Sequence, residues 1–176
     1  RPDFPGGDYD TLIHSIPQVL LPLGDEVTFL SGHGPTSTFA EDKAIAERFC
    51  TILEQNNIRC WIASQDIKHG DFAAIIARAI NASPVFVLLF SSNANESRHV
   101  ANETGLAMNA GCEILPVRIE DVLPSDSMQY FLSLTHWIDA LTPPLEAHID
   151  KLAQNIQSIL KRTALEGDPT GVHLNT

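Results

Sequence analysis

Short apolar runs alternate along the chain with stretches in which apolar residues recur every three or four positions. The first kind suits strands and the second suits amphipathic helices packed against them. Val27 to Ser31 is the first strand candidate. After it, Ala44, Ile45, Phe49, Ile52 and Leu53 share one helical face, which predicts a helix from near Glu41 to Asn56-Asn57. Cys60 to Ala63 reads as the second strand, and a polar turn from Ser64 to Asp71 leads into a helix carrying Phe72, Ile75, Ile76 and Ile80. Ser83-Pro84 stops that helix, since proline has no amide donor and clashes with the preceding helical turn. Val85 to Phe90 is apolar at every position. Both of its faces need cover, as at the centre of a parallel sheet between two helix layers.

A helix from about Ser97 to Asn109 follows, with Ser91 and Ser92 as capping hydroxyls before it and Gly111 as its stop. Ile114 to Ile119 is the fourth strand, Glu120 to Ser133 a loop with a short helical turn, and Thr135 to Ile138 a short fifth strand. Pro143-Pro144 opens a last helix that runs to about Arg162, with Leu145, Ile149, Leu152, Ile156 and Ile159 along one side. Strands alternating with helices in this order make βαβ units and an α/β class.

A 44% hydrophobic and 19% charged composition fits a folded globular chain. The net charge of −11, with no local cluster of Lys or Arg, argues against nucleic acid as a partner. Val85 to Phe90 is the longest apolar run and is far too short to cross a bilayer. No basic-then-apolar secretion pattern opens the chain, so a cytoplasmic location and no membrane association are expected. Cys50, Cys60 and Cys112 lack the spacing of a zinc site or a disulfide framework. His14, His33, His69, His99, His136, His148 and His173 are scattered, and neither a metal site nor a nucleophile triad can be assembled from them.

The stretch from Cys60 to Gly70, CWIASQDIKHG, resembles the second strand and following surface loop of bacterial Toll/interleukin-1 receptor (TIR) domains. VFVLLFSSNANES at 85–97, VANETGLAMNAG at 100–111, ILPVRIEDVLPSD at 114–126 and HWIDALTPPLEAHIDKLAQNI at 136–156 match in the same order. The resemblance covers residues 43 to about 162 and implies a flavodoxin-like three-layer fold with a five-stranded parallel sheet. Residues 1 to about 41 differ. DFPGGDYDTLIHSI and DEVTFLSGHGPTSTF are similar to the C-terminal part of a metallo-β-lactamase-fold hydrolase of the glyoxalase II type. That resemblance would make His33 a vestigial metal ligand, since the chain has no HxHxDH motif to supply the other ligands a catalytic zinc needs. The chain therefore reads as a chimera in which Val27–Ser31 replaces the first TIR strand. Residues 1–25 add an N-terminal helical segment, 26–162 form the α/β domain, and 163–176 are a flexible tail.

Catalytic TIR domains cleave the nicotinamide glycosidic bond of NAD with one essential glutamate on the helix after the third strand. Glu103 matches that position through Ser97, Val100 and Glu103 in SxxVxxE. NAD would then be substrate, and no cofactor is expected. Ser31, Trp61, Ser91, Ser97 and His99 are candidates for the surrounding pocket, the two strand-end serines because open α/β sheets bind ligands there. Read without the resemblance, Glu103 is a helix-surface acid, Trp61 and Trp137 are core, and the serines are turn hydroxyls. Gln65, Asp66, Ile67 and Gly70 lie in the loop through which TIR domains contact one another, so a homo-oligomer or another TIR domain is the expected partner. Three functions compete: an NAD glycohydrolase dependent on self-association, a non-enzymatic interaction or signalling module, and a natural or engineered fusion without activity.

Overall fold

The computed structural model describes residues 27–31, 40–62 and 72–166. The elements are β1 (Val27–Ser31), α1 (Ala40–Gln55), β2 (Arg59–Ile62), α2 (Phe72–Asn81), β3 (Val85–Phe90), α3 (Ser92–Glu96), α4 (Arg98–Ala110), β4 (Glu113–Arg118), α5 (Asp126–Leu132), β5 (Ile138–Asp139) and α6 (Leu145–Glu166). All strand pairings are parallel, in the order β2-β1-β3-β4-β5. The expected five-stranded flavodoxin-like α/β architecture is what forms.

Alternation along the strands divides the core into two. Val85, Val87 and Leu89 of β3 join Leu115 and Val117 of β4 against α1 and α6, through Phe49, Leu53, Ile149, Leu152 and Ile156. Phe86, Leu88 and Phe90 face the other way, against Ile80 of α2, Val100 and Ala107 of α4, and Met128 and Leu132 of α5. Every residue of β3 is buried, as a strand covered on both faces requires. Β1 lies between β2 and β3, with Phe29 in register with both Trp61 and Phe86.

Chain reversals are set by local chemistry. Asn57, in the left-handed region at φ 60, ends α1, a conformation asparagine tolerates better than most residues. Ser97 caps α4 by accepting from the Val100 amide, and Gly111 closes it at φ 76 with its own amide donating to Ala107 and Met108 carbonyls. Gly105 lets α5 approach α4, because a Cβ there would meet the Phe131 ring at 3.3 Å. Arg48 of α1 pairs with Glu146 of α6, joining the two helices that cover one face.

Several boundaries differ from the sequence reading, β2 and β4 by one residue and three others by more. Β5 is Ile138–Asp139 rather than Thr135–Ile138, because the Thr135 amide and hydroxyl both donate to the Leu132 carbonyl and finish α5 instead. The region read as a loop with one helical turn contains α5 as a seven-residue helix. Residues 163–166, assigned to the tail, continue α6, and Thr163 donates back to the Ile159 carbonyl. The N-terminal helical segment at 1–25, His33 and the rest of the tail lie outside the described residues.

Candidate functional site

Β1 connects through α1 to β2 on one side, while β3 lies on its other side, so the direction of winding reverses between β1 and β3. Ligands of open α/β sheets bind beyond the strand C-termini at such a point. Ser31 ends β1 and Ser91 follows β3 there.

Around Ser91 the sequence builds a polar clamp. Its hydroxyl donates to Asp42 Oδ2 at 2.7 Å and accepts from the Ala94 amide at 3.2 Å, capping α3. Asn93 Nδ2 donates to the same Asp42 oxygen at 3.2 Å. Asp42 is in the first turn of α1 and buried, so one carboxylate ties that helix to the end of the central strand. The charge-assisted bonds offset the cost of burying it. Next to it, Glu120 accepts from both the amide and the hydroxyl of Ser92 at 2.7 Å. Those two donors, the amide first, hold its carboxyl below the usual glutamate range. Arg118, at the end of β4, lies over the Trp137 ring at 4.9 Å and pairs with Asp139 at 3.5 Å, and its buried Nε has no hydrogen-bond partner among the described residues. Trp137 in turn meets Phe90 edge-on at 5.0 Å.

Glu103 is on the inward stripe of α4 with Val100, Thr104 and Ala107, and is 7% exposed. The surface-acid reading is therefore wrong. Thr104 satisfies its hydroxyl within the helix, on the Val100 carbonyl at 2.7 Å, and Glu103 also takes part in a polar interaction. A carboxylate seldom occupies such a position. Trp61 is half-buried against the same cluster as Val100, on the sheet face that α4 covers.

Of the other pocket candidates, Ser91 and Ser97 have their hydroxyls engaged as helix caps. His99 is exposed. The backbone of Ser31 is in register with Leu88. Gln65, Asp66, Ile67 and Gly70 fall outside the described residues. Asp42, Asn93, Arg118 and Glu120 were not singled out from sequence. An acid in a helix's first turn or a charge at a strand end is ordinary, and only the fold brings these four to one edge. Among the described residues no group of three or more His, Cys, Asp or Glu could hold a metal ion, and no helix is long and apolar enough to cross a membrane.

A groove of about 570 Å³ lies elsewhere. Glu113, Ile114 and Leu115 at the start of β4 line it together with Met108, Phe131 and Leu134. Among the described residues β5 pairs only with Val117 and Arg118, which leaves the outer edge of β4 from Glu113 to Pro116 without a neighbouring strand. Glu103, Asp42 and Ser91 do not line that groove. Positioned polar groups, rather than volume, identify the candidate site.

A family model described as TIR domain matches residues 36–153. Among solved structures, the TIR domain of the Toll-related Receptor TRR-2 from Hydra magnipapillata is similar with a TM-score of 0.57 and 16% identity, covering 75% of this chain and 98% of that one. The CMP N-glycosidase BcmB of Clostridium botulinum is similar with a TM-score of 0.55 and 15% identity, covering 73% and 98%. At those identities the likeness is one of fold. Hydroxyacylglutathione hydrolase GloC of Haemophilus influenzae is 51% identical over 43 residues, which is 24% of this chain and 20% of that protein. The chain thus spans about a fifth of the length of that curated relative.

Proposed function

The chain belongs to the TIR-domain family, and from that premise we propose that it cleaves the bond between nicotinamide and ribose in NAD, with Glu103 supporting the reaction and contact between copies ordering the site. The inward placement of Glu103 on α4 carries this reading. When the C1′–N bond breaks, the electron pair leaves with nicotinamide, which departs neutral. Positive charge is left on the ribose, spread over C1′ and the ring oxygen. A carboxylate held away from bulk water stabilises that charge more than an exposed one would, because low dielectric strengthens the interaction. Water then adds to C1′ and releases a proton, giving ADP-ribose.

Trp61 and the C-terminal end of β1 are proposed walls of the pocket. Asp42, through Ser91 and Asn93, fixes the start of α3, and hence of α4. The loop bearing Gln65, Asp66, Ile67 and Gly70 is the proposed self-association surface. The similar CMP N-glycosidase is named for cutting a base from a nucleotide. That is the same class of bond, so the fold is compatible with the reaction.

Incubation at high protein concentration with NAD and, separately, with CMP distinguishes the outcomes, with free base measured chromatographically. Nicotinamide from NAD is the expected result. Cytosine from CMP with no nicotinamide would keep the glycosidic chemistry and replace the substrate. No base from either would overturn the proposal. In that case a non-enzymatic interaction module is favoured by the exposed Met108, Tyr130 and Leu134.

A further inference from the structure

An acidic chain that takes an anionic dinucleotide needs a local cation to meet the diphosphate, because a net charge of −11 works against binding. Ligands of open α/β sheets lie beyond the strand C-termini. Among the described residues, Arg48 on α1 and Arg162 on α6 are paired with Glu146 and Glu113. Arg59 begins β2, at the opposite end of the sheet, and Arg98 is exposed at the start of α4. Arg118 is the last residue of β4, at the end where ligands bind.

Strand alternation turns Arg118 to the face where Ile114 and Trp137 pack, which is the face covered by α4 and Glu103. The guanidinium lies over the Trp137 ring at 4.9 Å, and Phe90 meets that ring edge-on at 5.0 Å. Its backbone is fixed too, since the Arg118 carbonyl accepts from the Ala140 amide at 2.9 Å. Against this positioning, the donors are little used. Nε is buried and makes no hydrogen bond among the described residues, and the one ion pair there is long, from Nη1 to Asp139 at 3.5 Å. Glu120, two residues on, is turned to Ser92 instead. An unsatisfied buried donor is costly, and a missing anionic ligand is one physical reason to keep it. A planar guanidinium held by stacking, with donors unused, has the form of an oxyanion receptor.

We propose that Arg118 is the phosphate-binding residue of the nucleotide pocket. The side chain is 26% exposed, so its outer nitrogens can donate to diphosphate oxygens, while the 64% exposed Asp139 gives up the guanidinium to them. Trp137 keeps the guanidinium plane in place during that exchange. The choice of a diphosphate rests on the reading of NAD as substrate. Arg118 meets the substrate away from the bond that breaks, so it acts on KM rather than on kcat.

Titration of the full chain with ADP-ribose, followed by the NMR signals of the Arg118 and Trp137 side-chain N–H groups, tests the site without turnover. Both signals should shift and saturate together. Arg118→Met, which keeps an unbranched stem on the ring, should weaken ADP-ribose at least about tenfold, and adenosine, which has no phosphate, should bind both chains equally. Asp139→Asn removes the competing carboxylate and should tighten ADP-ribose several-fold. It alters an exposed side chain, so the test does not depend on the Arg118 variant folding. No shift in the unmutated chain, equal affinity in Arg118→Met, or weaker binding in Asp139→Asn would overturn the proposal. Binding of ADP-ribose through Arg118 in a chain that releases no nicotinamide would uphold the phosphate site and sink the reaction. Nicotinamide release with an unchanged KM in Arg118→Met would do the reverse.

Discussion

On one face of the sheet α6 turns Ile149, Leu152, Ala153 and Ile156 inward, all apolar and buried. On the other face the matching stripe of α4 runs Val100, Glu103, Thr104, Ala107. The first layer follows the packing rule for a helix on a sheet, and its residues are explained by the area they remove from water. The second carries a carboxylate where the same rule asks for Leu or Ile. A departure of that kind is expected at functional sites and is offset by packing elsewhere. Both faces hold the fold together, and the second also carries the acid proposed to act on NAD.

Substitutions separate the two roles. Phe90→Ala should have the largest effect, about 3–5 kcal/mol, since it empties a fully buried site and removes the ring that meets Trp137. Leu152→Ala should cost about 2–5 kcal/mol on the other face. Both are read from denaturant midpoints, and a cost below about 1 kcal/mol for either would contradict the packing described. Asp42→Ala should follow at about 1–3 kcal/mol, because Ser91 and Asn93 lose their common acceptor in a buried setting. Asp42→Asn keeps one acceptor oxygen and should fall below it.

Gly111→Ala sharpens the role of the cap on α4. A Cβ there meets nothing within 4 Å, so the whole cost is backbone strain at φ 76, about 1 kcal/mol. The smallest effect is electrostatic and confined to the surface. Glu120 has its folded pKa depressed, so its contribution is present above the unfolded pKa and is lost as pH falls through the folded value. Ser92→Ala should move the Glu120 titration only part of the way back, since the Ser92 amide, the larger cause, remains. Full return to the ordinary range, followed by NMR, would show that the hydroxyl dominates instead.

Much of this architecture is legible from residue pattern, and the exceptions have physical causes. Β3 could be bounded to the residue because six consecutive apolar positions require cover on both faces. Ser97 and Gly111 mark the ends of α4 because a hydroxyl acceptor and a left-handed residue satisfy the groups a helix leaves open. Β5 was misplaced because Thr135, a good strand former, is used to close α5. The Asp42–Ser91–Asn93 clamp joins residues about fifty positions apart, and no local pattern announces it. Glu103 could be numbered from the family resemblance, but its burial could not. An acid weakens the apolar periodicity by which an inward stripe is recognised.

Glu103→Gln tests the contrast between the two faces most directly, because it keeps side-chain shape and one acceptor oxygen while removing the carboxylate. Nicotinamide release from NAD and the thermal unfolding midpoint should be measured on the same preparation as the unmutated chain. The predicted result is release reduced at least about 100-fold, as when a transition-state charge partner is removed, with an unfolding midpoint close to the original. Undiminished release from a folded Gln variant would contradict a chemical role for the buried acid.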